Sequence, residues 1–394
     1  MTSASSTSRL VSLWMAVLAG YVTVLATGPV AANVRLAQLD PTHATAWYSM
    51  IAASGALSAA IGYVVFGKVS NNLRNRRGTR QPIFIFSLLV LAPAGYLLSI
   101  ADSVATLWVL WCVIALPASA ILSASTAIVL EVTPMHRIGL ASGLFGAGAV
   151  VALLYGVVLG TISNNNPQIV LLVGTLTAAA LCIPAALQKE NVAAVTAAND
   201  KKFRVAKPFA LFLVGTFAAM AALAVFNDYF FQIAKRLDGS NVQAVAELAQ
   251  GFIAVSSIAL LLGSIVGGLL IRTARQSRTL FMASLLLAAL ALLAMSLAPN
   301  ANFVMVAAFV GGGSAGLNLA SQLPFMKASL GEKAELGLES GAFNLVSVVP
   351  SIVMPAIGAL LVSVSPQNWL LFMSVVVLTL ALIGSALARA IRVH

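Results

Sequence analysis

Charge is what this chain has least of. Only 8% of its 394 residues are Asp, Glu, Lys or Arg, against about a quarter in soluble domains. Hydrophobic residues make up 60%, too many to hide in one water-soluble core, so the chain belongs in a bilayer. Histidine is nearly absent as well. His43 and His136 fall in predicted loops and His394 is terminal, so no histidine joins a buried catalytic triad, and the chain is read as not an enzyme. The two cysteines, Cys112 and Cys182, both lie inside apolar runs. That indicates neither a disulfide framework nor a metal site; both are read as small packing residues. No G-x-x-x-x-G-K-[ST] segment occurs, which removes the phosphate cradle of ATP-driven transport. No cofactor is called for. The net charge of +11 does not indicate a nucleic-acid partner, because the cations sit in short loops rather than on one amphipathic face.

What is present is a succession of apolar runs. Val11 to about Ala32 is longer than the core of a signal peptide and long enough to span, so it is read as a retained first helix. Twelve spans are expected, at 11–37, 45–66, 82–101, 104–130, 139–162, 168–188, 208–233, 247–271, 279–298, 303–326, 341–364 and 369–389. Helix is the expected element, because a lone strand cannot satisfy its backbone in lipid, and the alternation of an outer-membrane barrel is missing. With both termini cytoplasmic, all of the 22 Lys and Arg residues except Arg35, Lys235 and Arg236 fall on the inner side. This is the asymmetry expected of an inner, plasma-type membrane protein.

The segment Gly67–Pro82, GKVSNNLRNRRGTRQP, is predicted to be a basic loop between spans 2 and 3. Its spacing resembles the helix 2–3 loop of major facilitator superfamily transporters, most closely the longer form of the sucrose and glycoside–cation symporter branch. The resemblance implies an all-α membrane fold of twelve transmembrane helices in two six-helix pseudo-symmetric halves. It also implies that Gly67, Asn71, Arg74, Arg77, Gly78 and Arg80 form a gating latch. Gly67 would then permit close contact between spans 2 and 11. Asn71 stands where the family has an Asp near the N-terminal end of helix 11. It can still accept a hydrogen bond but brings no charge. Glu131, at the end of span 4, is the expected partner of Arg77 or Arg80. The alternative for the arginines is that they only set topology.

The chain also repeats itself. Gly139-Leu-Ala-Ser-Gly143-Leu-Phe145 recurs as Gly337-Leu-Glu-Ser-Gly341-Ala-Phe343, an offset of 198. The domains read as 1–188, a linker at 189–207, and 208–394. G-x-x-x-G pairs at Gly156/Gly160, Gly263/Gly267 and Gly312/Gly316 would let helices approach closely, either as static packing or as faces that slide.

Polar groups and aromatics in an apolar wall are the marks of a binding cavity. The substrate-binding candidates are Asn33, Arg35, Tyr48, Trp111, Asn227, Asp228, Tyr229, Asn318, Gln322 and Asn344, with Trp108 beside them. The amides can instead join helices to each other, and Trp47, Trp108 and Trp369 lie near span ends, where interfacial belts form. Arg35 and Asp228 can face each other across the outer mouth or simply reach solvent. The expected partners are a small-molecule substrate, a coupling proton or sodium ion, and the lipid bilayer. Three functions stay open: a sugar or glycoside symporter, an efflux carrier for hydrophobic drugs or metabolites, and a non-transporting membrane sensor or scaffold.

Overall fold

The computed structural model describes residues 4–27, 31–163, 166–188, 206–228, 230–237, 242–330, 336–365 and 367–391. Every regular element among the described residues is helical. In lipid a helix pairs its own backbone groups, and an open sheet edge cannot. Eleven helices are long and apolar enough to cross a membrane, and a shorter apolar segment, Leu10–Ala26, precedes them.

The first predicted span is an α-helix, α1 (Ala4–Tyr21), that passes into a π-turn, Val22–Ala26; a short helix, α2 (Asn33–Leu39), lies beyond. Next comes α3 (Ala44–Arg77), which at 34 residues is about 50 Å long and outreaches the roughly 30 Å hydrocarbon layer. The predicted basic loop is therefore corrected: Gly67 to Arg77 are helical. Only Gly78-Thr79-Arg80 bend the chain before α4 (Gln81–Ser99). Gly78 ends α3 with φ +67°, its N–H returning to the Arg74 carbonyl, and a side chain there would be strained. The helix outlasts its apolar run because Arg74, Arg76 and Arg77 in its last turn meet the negative end of the helix dipole.

The chain continues through α5 (Val104–Val132), α6 (Met135–Ile162), α7 (Pro167–Leu187), α8 (Lys207–Asp228), α9 (Phe230–Leu237), α10 (Val242–Leu270), α11 (Ala274–Ser296) and α12 (Ala301–Ser329). The predicted span 341–364 is two helices, α13 (Leu336–Val348) and α14 (Pro350–Val364). They break at Val349, where Pro350 has no N–H to donate to the ladder. Last is α15 (Trp369–Ala390).

Two compact units result. Unit 1 holds Met1–Val132, Gly148–Phe203 and Lys333–Leu345; unit 2 holds Thr133–Ala147, Arg204–Glu332 and Val346–His394. Each takes most of one sequence half and a short piece of the other. In unit 1, α3 packs on α5, α4 on α7, and α1 on both α5 and α7; in unit 2, α10 and α11 pack on α12, and α11 and α8 on α15. Leu89, Ile162, Leu187 and Val364 are each more than two-thirds exposed. An apolar exterior of this kind suits lipid rather than water.

The duplication reappears in hydrogen bonds. In unit 1 the Gln81 amide at the start of α4 donates to the Ala186 carbonyl at the end of α7 (2.6 Å). In unit 2 the Arg278 guanidinium near the start of α11 donates to the Ile391 carbonyl just past α15 (2.8 Å).

Candidate functional site

The repeated G-L-x-S-G-x-F segments lie at two glycine crossings. In unit 1 the start of α13 lies across α3. A Cβ added at Gly67 would stand 2.7 Å from the Gly337 carbonyl oxygen and 3.2 Å from the Gly341 Cα, and one at Gly337 only 2.6 Å from the Gly67 oxygen. In unit 2 the start of α6 lies across α10 in the same way. A Cβ at Gly139 would stand 2.6 Å from the Ile271 oxygen, and one at Gly268 2.9 Å from the Gly139 oxygen. Backbones touch at both places, which only glycine permits.

Beside the first crossing is an ion-pair network. Glu131, at the end of α5, accepts from Arg74 Nε at 2.7 Å and Arg74 Nη2 at 2.5 Å on one carboxylate oxygen. Its other oxygen accepts from Arg80 Nη1 at 2.5 Å. Arg80 Nε also donates to Ser70 Oγ at 3.0 Å. Arg80 and Arg74 are 2% and 8% exposed, and charge-assisted bonds in such surroundings are strong. Arg80 is one of the two partners expected for Glu131. The other is Arg74 and not Arg77, which is exposed. Because α3 stays helical, Arg74 is level with the end of α5 while Arg77 stands a turn beyond it. Asn71 is buried at the first turn of α13: a Cβ at Gly337 would lie 2.8 Å from its backbone nitrogen.

The other candidates scatter. Arg35 donates from Nε (3.2 Å) and Nη2 (2.5 Å) to the Ala101 carbonyl just past α4, and from Nη1 to Gln38 (3.2 Å). Its counterpart in unit 2 is Arg236, which donates to the Ser296, Met295 and Ala298 carbonyls at the end of α11. Each arginine thus sits on the negative end of its unit's third long helix. Asp228, a candidate partner of Arg35, ends α8, but its side chain lies outside the described residues, as do those of Asn33 and Asn227 and the whole of Tyr229. Tyr48 is half-buried. Trp111 is buried over Gly55, where a Cβ would come within 2.5 Å of its indole nitrogen. Trp108 donates to Ser54 Oγ at 2.6 Å. Its ring centroid is 6.4 Å from that of Trp47, which donates to Asp40 at 2.9 Å.

Asn318 and Gln322 are joined to each other. Gln322 donates to Asn318 Oδ1 (2.7 Å), and Asn318 donates to Ser284 Oγ on α11 (3.0 Å). Asn318 and Ser284 form the polar end of an apolar recess whose wall includes Met220, Leu223 and Phe226. The Asn344 amide nitrogen is buried with no hydrogen-bond partner among the described residues.

Sequence reasoning passed over three residues. Ser142 donates to the Leu319 carbonyl at 2.7 Å and accepts from the Leu323 N–H at 3.3 Å. It has inserted itself into the α12 ladder one residue before Pro324. Lys327 donates to the Thr133 carbonyl at 2.5 Å. Glu339 is buried in the first turn of α13. The available signals were Pro324 inside an apolar run, and Ser142 and Glu339 within the repeated segment.

The profile of the Major Facilitator Superfamily matches residues 10–273. The chain belongs to the major facilitator superfamily. Its fold is similar to that of the human organic anion transporter MFSD10 (TETRAN), with a TM-score of 0.76 at 12% identity over 96% of this chain and 99% of that one. It is similar also to the E. coli fucose:proton symporter FucP in a point-substituted form, with a TM-score of 0.72 at 13% identity over 96% and 98%. For FucP in the outward conformation the TM-score is 0.69 at 15% identity over 98% and 100%. No curated protein matches by sequence. Major facilitator proteins are transporters rather than enzymes, and membership supports an integral-membrane secondary transporter.

For this major facilitator chain, Arg35→Ala and Arg236→Ala should each lower the thermal midpoint in detergent by an amount equivalent to about 1 kcal/mol. Lysine at either place should restore part of it. Unchanged midpoints in both alanine variants would show that the helix-end contacts contribute nothing.

Proposed function

We propose that the protein carries a small polar organic solute across the membrane by alternating access, with a proton or sodium ion as the coupling cation. The observation that carries this reading is the pair of glycine crossings. Each is built from one copy of the duplicated segment, and the first is flanked by the Glu131–Arg74–Arg80 network. Smooth backbone faces of this kind can slide or part with no side chains to disengage. In this reading the sequence halves 1–188 and 208–394 rock against each other. Gly67, Asn71, Arg74, Gly78, Arg80 and Glu131 hold the cytoplasmic side shut, and Arg77 contributes only charge. Both termini are cytoplasmic and the membrane is the plasma (inner) membrane, an orientation supported by the loop charges.

A sugar or glycoside is the solute class favoured by the spacing around Asn71–Arg80, and one neighbour by fold is a fucose:proton symporter. The apolar recess between Met220, Phe226 and Asn318 favours a second reading, export of a hydrophobic compound. Proteoliposomes holding the purified protein should accumulate a sugar or glycoside from a panel when a proton or sodium gradient is imposed, and should ignore lipophilic cations. Movement of the lipophilic cations alone would establish the second reading. Movement of nothing would leave a membrane sensor or scaffold.

A further inference from the structure

Most hydroxyls buried in these helices satisfy themselves on their own backbone. On α5, Ser119 donates to the Leu116 carbonyl and Thr126 to Leu122; on α12, Ser314 donates to Gly311, Ser321 to Asn318 and Ser329 to Met326. This local bond is always within reach. Ser125 of α5 and Ser340 of α13 are both 0% exposed, and neither hydroxyl makes that bond or any other among the described residues. The Asn344 amide nitrogen, one turn beyond Ser340, is likewise buried and unpartnered. All three residues belong to unit 1.

The duplication indicates how they are placed. Ser340 is the serine of the second G-L-x-S-G-x-F segment, and Ser142 is the serine of the first. Ser142 faces α12 at Leu319 and Leu323. The same offset of 198 carries those two positions to Ile121 and Ser125 of α5, so the duplication pairs Ser340 with Ser125. Asn344 follows on the same face of α13, four residues on. The two copies differ in what they meet. Ser142 enters a ladder beside Pro324, whose missing N–H already interrupts it. The equivalent place on α5 is Thr126, which keeps the N–H that proline lacks, so Ser340 finds no opening.

Buried polar groups left unsatisfied call for an explanation, and one explanation is a partner they meet in another state. We propose that Ser125, Ser340 and Asn344 are polar lining of the solute path. They are shut away while α13 lies across α3, and they hydrogen-bond to water and to the hydroxyls of a polar solute once that crossing parts. This rests on the alternating-access reading above and names further residues that serve it.

The test uses the full-length protein with Cys112→Ala and Cys182→Ala and one new cysteine at a time. Ser125→Cys and Ser340→Cys probe the lining. Asn71→Cys reports the crossing, and Ala124→Cys and Ala127→Cys, fully buried on α5, are controls. A membrane-impermeant charged methanethiosulfonate is applied from each side, with and without Gly67→Trp, whose ring cannot fit against the Gly337 carbonyl. Because labelling follows the open population, Asn71→Cys, Ser125→Cys and Ser340→Cys should react on the order of tenfold faster with the tryptophan, from the cytoplasmic face only, while the alanine positions stay protected. Acceleration at Asn71→Cys with both serine positions still protected overturns this inference and leaves the crossing intact as a gate. Failure at Asn71→Cys itself overturns the gate, and this inference with it. A second measurement does not depend on the tryptophan variant folding. Ser125→Ala and Ser340→Ala should keep or raise the thermal midpoint, because each removes an unsatisfied hydroxyl. A fall in both would show that these hydroxyls are satisfied packing groups and would end the proposal.

Discussion

Gly316→Leu should abolish a stably folded unit 2. The α10–α12 crossing is built from two facing G-x-x-x-G strips, Gly263/Gly267 and Gly312/Gly316. A Cβ at Gly316 would meet the Leu260 carbonyl oxygen, with the Ser264 nitrogen at 2.6 Å and the Gly263 carbonyl carbon at 2.9 Å. A Cβ at Gly263 would in turn meet the backbone of Gly313, and one at Gly312 the backbone of Ser256. These neighbours are main chain and cannot turn aside as a side-chain tip would. Overpacking a fitted core typically costs about 1–3 kcal/mol. Gly316→Ala should already reach the upper part of that range, and leucine should exceed it. Gly148 supplies the contrast, since its added Cβ would meet only the Trp14 ring at 3.6 Å and the Tyr21 ring at 3.7 Å, ordinary contact distances. Gly148→Ala should therefore be neutral or slightly stabilising, by up to about 1 kcal/mol from helix propensity. Thermal unfolding in detergent, read with the monodisperse yield, checks both. A Gly316→Leu protein that elutes and melts like the parent would mean that these strips are not in contact.

Glu131→Ala should be nearly as damaging, for an electrostatic reason. It leaves Arg74 and Arg80, at 8% and 2% exposure, beside each other without the carboxylate that both of them hold. Removing one partner from a buried ionic group costs about 3–5 kcal/mol, mostly because the remaining charge stays buried. Glu131→Gln keeps an acceptor but no charge, and should fall between alanine and the parent. Replacing Glu131, Arg74 and Arg80 together by methionine should recover most of the loss, because no uncompensated charge is then left. If the triple variant is as unstable as Glu131→Ala alone, the network matters for something other than its charges.

Much of the helical frame could be read from apolar runs, because lipid leaves few alternatives to a helix of about twenty residues. The errors fall where the chain leaves lipid. Gly67 to Arg77, with paired asparagines and four cations, resembles a loop in composition, yet a helix needs no apolar run once water can solvate its outer face. Val349 marks a break because of the proline after it, inside a run that hydropathy alone treats as continuous. The glycine crossings were half legible: the repeated segment was visible and the resemblance set Gly67 against span 11, but nothing in the sequence put the first copy across α10. Ser142 was invisible for that reason, since a serine inserted into another helix's ladder depends on which helices pack together. Asn318 and Gln322 stand out in the sequence as costly amides, but their choice of each other and Ser284 over open space depends on facing angles that a sequence does not carry. Arg35 stood out as a charge on the wrong side. Its acceptors are backbone carbonyls, which have no sequence signature.

That arginine and its counterpart Arg236 bear on how the protein is made. On the proposed orientation Arg35 and Arg236 must cross the bilayer during synthesis, at a cost of about 2.5–3.5 kcal/mol for a cation passing the midplane. Neither has its carbonyl acceptors when it first emerges, though Arg35 has Gln38 three residues on. The carbonyl that receives Arg35 lies 66 residues later, and the first of those that receive Arg236 lies 59 residues later, each time at the end of the third long helix of its half. An inserted first helix therefore waits for a helical hairpin to follow before its guanidinium meets those carbonyls. Because the wait begins and ends within residues 35–101 in one half and 236–298 in the other, neither half needs the other to complete this step. The ribosome can deliver the duplicated halves as two successive assembly events, and a nascent chain halted before Ala101 should be the form that quality-control proteases remove first.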